Sequence, residues 1–161
     1  MQRFTRFSPM FTLTRAFTLC AMLALSLSAM GCSSVGLGLH DQATVDKLAK
    51  LVYPSQSDRG NDLDILVVRT AGSIKLVNRT PRVYHNVEIW LNQQFVNLVP
   101  RLQISQSSGD THMSLTSFVN KHGQTYPIGG LLTPDLNQPL LIAELFDPAT
   151  GLRHHMLVQH R

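Results

Sequence analysis

The chain carries seven histidines, and one tripeptide sets two of them beside a methionine: His154-His155-Met156. On a strand, alternate side chains share a face, so His154 and Met156 point the same way. An imidazole and a thioether together suit a soft ion such as Cu(I). His112, next to Met113, is the natural third donor. Met113 and Met156 are the only methionines beyond residue 30, so the donor set is short of what copper needs. Copper is therefore the secondary reading, and no cofactor is expected.

Acid–base and nucleophilic chemistry find less support. The chain has no G-x-S-x-G elbow and no H-E-x-x-H helix. Ser73, in Ala71-Gly72-Ser73-Ile74, lacks the first glycine of the elbow and reads as a turn serine. Glu144 interrupts an apolar run. It belongs either at a solvent-facing sheet edge or opposite an arginine such as Arg153 across a hairpin. A general acid would need a second carboxylate nearby, and none is spaced for it. The chain is not expected to be an enzyme; an unrecognised envelope hydrolase is the last alternative. The remaining chemistry is recognition. Arg79, Arg82, Tyr84 and His85 crowd one loop, and arginine and tyrosine are favoured where proteins bind each other. That loop and residues 121–127 are expected to share one end of the fold.

The first 31 residues carry Arg3, Arg6 and Arg15 and no acid. They account for three of the 14 basic residues, leaving 11 against ten acids. So balanced a surface excludes nucleic acid as the expected partner. After Arg15 come 15 uncharged residues, 16–30. That length suits the apolar region of a signal peptide and falls short of the ~20 residues that span a bilayer. Met10 is an alternative start. Leu27-Ser28-Ala29-Met30-Gly31-Cys32 resembles a bacterial lipobox. That resemblance implies cleavage between Gly31 and Cys32 and diacylglycerol on the Cys32 thiol. The family usually has leucine where Ala29 stands. Ala29-Met30-Gly31 also fits ordinary signal peptidase, which would cut at the same place and leave the chain soluble. A cysteine at that one position favours lipidation. Ser33 after it, by resemblance to Gram-negative lipoproteins, implies an outer-membrane address facing the periplasm. A chain beginning at Cys32 has a single cysteine and no internal disulfide, so a packed core must hold it together.

Candidate residues need elements to place them. Residues 33–39 read as a tether, and 41–53 as a helix: Asp41 caps, Val45, Leu48 and Val52 repeat at helical spacing, and Pro54 stops it. Strands are expected at 63–68, 73–78, 86–92, 95–99, 102–104, 113–118, 124–128, 140–146 and 152–159, several of them very short. Asn92-Gln93-Gln94 and Asp147-Pro148-Ala149-Thr150-Gly151 supply turns. The run from Ile74 to Asn92, with its N-V-x-I-x-L strand at Asn86–Leu91, resembles immunoglobulin-like and fibronectin III-like accessory domains of bacterial envelope proteins. His154-His155-Met156 is similar to the H-x-M element of periplasmic copper chaperones, also small β-sandwiches. The expectation is all-β: a single immunoglobulin-like antiparallel β-sandwich of about seven or eight strands over 61–161. It follows a lipoprotein leader (1–31) and a lipidated tether with a short helix (32–60). Its expected role is a non-enzymatic structural or protein-interaction module of the cell envelope, held to the membrane through lipid on Cys32.

Overall fold

Alternation of buried and half-buried side chains is clearest over Ser73–Asn78, where Ile74, Leu76 and Asn78 are buried and the residues between them are half-buried. In the computed structural model, which describes residues 40–129 and 137–159, seven strands form in chain order. They are β1 (Leu63–Arg69), β2 (Ser73–Asn78), β3 (Tyr84–Leu91), β4 (Phe95–Leu102), β5 (Thr111–Ser114), β6 (Ala143–Asp147) and β7 (Leu152–Gln159). The leader, Gly31, Cys32 and the tether lie outside the described residues. The helices are α1 (Gln42–Ala49) and a single turn, α2 (Ser105–Ser108). The all-β expectation holds.

The strands form one hydrogen-bonded sheet in the order β4-β3-β6-β7-β1-β2-β5. Its two halves curl over a common core, close to a barrel. Ile65, Val67, Ile74 and Leu76 come from one half, and Val87, Ile89, Leu91 and Leu145 from the other; all eight are fully buried. Strand β7 serves both halves. Residues 152–155 pair with β6, and Met156 onward pairs with β1. The β1–β7 pairing is parallel, so the sheet is mixed where an antiparallel one was expected. These are the first and last strands, and no hairpin joins them to impose opposite directions.

Three local expectations are corrected. Residues 102–104 add no strand, because Leu102 simply ends β4. Residues 113–118 leave the sheet at Ser114, whose Oγ accepts the Thr116 N–H and opens a 3-10 turn, Leu115–Ser117. Residues 124–128 make one bridge, Thr125 to Val119, because Asn120 Oδ1 accepts the N–H of both His122 and Gln124 and curls the chain.

Helix α1 starts as its sequence implies. Asp41 Oδ1 accepts the Thr44 N–H at 3.0 Å, a bond that holds the Asp41 carboxyl below its usual range. It stops at Ala49, four residues before the expected end at 53. Lys50 caps the helix, and residues 51–53 leave it as a strap whose Leu51 and Tyr53 pack against the sheet. Leu48 is 1% exposed and joins Trp90, Val96 and Val119 in a second buried cluster, with Val45, Leu51, Tyr53 and Phe146 around it. The helix thus covers the outer face of the β3–β4–β6 half.

Candidate functional site

Beneath the strap, strand register builds a grid. Val96, Trp90, Glu144 and His155 form one row across β4, β3, β6 and β7; Leu98, Glu88, Phe146 and Arg153 form the next. Alternation puts both rows on the outer face, opposite the main core. Solvent would normally reach such a face. Here α1 and the strap exclude it, and Glu144 is 0% exposed.

A buried carboxylate has to be compensated. The Tyr53 hydroxyl donates to Glu144 Oε2 at 2.5 Å and itself accepts from the Arg153 guanidinium. His155 Nε2 lies 2.9 Å from Glu144 Oε1, and Arg153 Nε 3.7 Å. Neither contact is aligned as a hydrogen bond, so Oε1 has no hydrogen-bond donor among the described residues. The Tyr53 ring packs edge-on against Trp90 with centroids 5.5 Å apart, and the Arg153 guanidinium lies over its other side at 5.3 Å. Desolvation, then the hydrogen bond and charge of Glu144, push the Tyr53 hydroxyl up to about 12, against the opposing pull of Arg153. Trp90 Nε1–H donates to Glu88 Oε2 at 2.8 Å. Burial raises the Glu88 carboxyl all the same. The result is an ionic clasp that fastens the N-terminal strap to three strands.

The residues singled out from sequence fall elsewhere. Met156 lies in the main core. His154 Nδ1 is 2.8 Å from the Asn61 carbonyl, and its ring fills the space left by Gly60, where a Cβ would collide with it. His112 is exposed on β5, with β1 and β2 between it and β7. Three strand spacings of about 4.8 Å separate those strands along the sheet, so His112 is not brought to the other two. Among the described residues no three His, Cys, Asp or Glu side chains gather as metal ligands.

Of the loop cluster, Tyr84 is in the core at 5% exposure. Arg79, Arg82 and His85 are exposed. Arg82 sits over the Tyr84 ring at 5.2 Å and 3.6 Å from Asp147 Oδ2. His85 pairs across the strands with Arg101. Residues 121–127 do not join them. They lie by Asn92, at the far end of β3, where the Asn92 side chain reaches the Tyr126 hydroxyl at 3.3 Å. The loop before β3 and the turn after it are at opposite ends of a strand, which rules out the shared end expected from sequence.

Tyr53 and His155 are the site residues that sequence reasoning passed over. The parity of Glu144, Phe146, Arg153 and His155 was a usable signal: four residues on one face of a hairpin, three of them ionisable. Nothing local marks Tyr53 as their partner, 91 residues from Glu144. Compared with protein-family models, curated proteins and solved structures, the chain matches none.

Proposed function

We propose that the chain is an exported cell-envelope protein. It is tethered by lipid on Cys32 at the periplasmic face of the outer membrane, and its β domain is a non-enzymatic protein-interaction module of immunoglobulin-like type. The observation that carries this reading is the acid-free leader, whose apolar stretch 16–30 is followed directly by Gly31-Cys32. Strand order supports the fold type. One half of the sheet runs β4-β3-β6-β7 and the other β1-β2-β5, with β7 shared. The same split of strands recurs in two-sheet immunoglobulin-type domains. Among the described residues no helix is long and apolar enough to cross a membrane. His40 Nε2 is 2.9 Å from the Ser117 carbonyl, so the chain is already fixed to the domain eight residues after Cys32. Eight residues reach at most ~28 Å, which keeps the domain within reach of the lipid surface. Arg79, Arg82 and His85 then form an exposed loop end suited to a protein partner.

Mass spectrometry of the protein purified from its native envelope tests the address. A mature chain starting at diacylglyceryl-Cys32 is expected; a free thiol or a retained leader overturns the tether. Photocrosslinkers placed at Arg82 and His85 test the role. One discrete protein adduct is expected there and none at Thr116; no adduct, or equal labelling at both places, rejects that surface as a docking site.

A further inference from the structure

A cleft of about 530 Å3 opens beside the clasp, between the strap and the turn that joins β3 to β4. Its walls are apolar: Leu51 and Val52 from the strap, Trp90 and Val96 from the sheet. Val52 is 84% exposed at this cleft, whereas its neighbours are buried or half-buried. A cleft of this size, apolar within and with a few polar groups at its edge, is what a small-ligand site offers.

The rim is polar, and its one fixed charge is that of Lys121. Gln93, Gln94, Lys121 and His122 line it, and no acid does. Lys121 makes no ion pair among the described residues. It is presented by the curl that Asn120 holds through bonds of 2.9 and 3.0 Å to the His122 and Gln124 amides. Gln93 sits at φ 62°, directly after Asn92 at φ 49°. Asn92 has a reason to be there: its Oδ1 accepts the N–H of Leu141 and Ile142, and its Nδ2 reaches the Pro139 carbonyl. Gln93 takes its conformation from the hairpin turn, in which the Gln94 N–H donates to the Leu91 carbonyl at 3.1 Å and both central residues need positive φ.

We propose that this cleft binds a small amphipathic carboxylate, an alkyl chain ending in a single negative charge. The chain lies along Val52, Leu51 and Trp90, and the carboxylate meets Lys121 with help from the Gln93 amide. The site is independent of lipid on Cys32 and of any protein partner.

Trp90 is the single tryptophan of the chain, so its emission reports on the cleft directly. The full chain, reconstituted in zwitterionic phospholipid nanodiscs, is titrated with octanoate and, in parallel, with octan-1-ol. Octanoate is expected to give a saturable change in emission, and octan-1-ol a weaker one. Lys121→Gln weakens octanoate about tenfold and leaves octan-1-ol unchanged, as loss of one charge contact requires. Val52→Asp, at an exposed position the fold tolerates, removes both. The proposal is overturned by the absence of a saturable change, by octan-1-ol binding as tightly as octanoate, or by either variant behaving as the parent.

Discussion

A carboxylate with no exposed surface is stable only through its neighbours, and Glu144 depends on Tyr53, His155 and Arg153 together. Removing one member strands the others. Glu144→Ala is expected to cost about 3 kcal/mol in urea unfolding, because it leaves the half-buried Arg153 beside a cavity with no carboxylate. The double variant Glu144→Leu/Arg153→Met is expected to cost less than Glu144→Ala alone, since no uncompensated charge remains. A double variant worse than the single would show that the clasp stabilises by more than charge neutralisation. The Tyr53 hydroxyl adds a pH signature. It titrates near 10 in the unfolded chain and about 12 in the folded one. Between those values the unfolded chain releases a proton that the folded chain keeps, so stability falls as pH rises from 10 to 12. Tyr53→Phe should flatten that part of the profile; a profile unchanged between pH 9 and 11.5 would refute the assignment.

Elements show how far local pattern reaches. Helix α1 begins where Asp41 can cap it, but its end is tertiary. Leu51 and Tyr53 gain more by packing on Trp90 than by another helical turn, and Tyr53 gains a hydrogen bond to Glu144. Leu48→Ala should therefore cost about 2–5 kcal/mol, like a core leucine, although its helix precedes the sheet and has only eight residues. A loss below 1 kcal/mol would mean that the helix is merely resting on the sheet. The turn from β3 to β4 gives the opposite sign. Gln93→Gly relieves a left-handed residue and should raise stability by about 0.5–1 kcal/mol while weakening octanoate. Greater stability with octanoate affinity unchanged would remove the Gln93 amide from the ligand site. Strands 73–78 and 152–159 were legible to the residue, because alternation and bounding turns agree there. Residues 113–118 were not, because a serine cap competes with the sheet for the same backbone groups.

At the scale of the whole molecule, the first and last strands close the fold. Gly60 N–H donates to the Arg153 carbonyl at 2.9 Å and Arg153 N–H to the Asp58 carbonyl at 3.0 Å, which ties the chain entering β1 to the start of β7. His154 leans on Gly60 at this seam. Gly60→Ala should cost about 1–3 kcal/mol, and His154→Ala in the same chain should recover most of it. Equal losses in both chains would place the strain in the backbone. By itself, the sequence determined the cap of α1, most strand positions and the face each side chain takes, because capping and alternation depend on neighbours within a few residues. Tertiary structure alone decided the parallel β1–β7 pairing, the strap over Trp90, the partners of Glu144 and the dispersal of His112, His154 and Met156. Each of those joins residues far apart along the chain, and no local preference encodes which distant surface a face will meet.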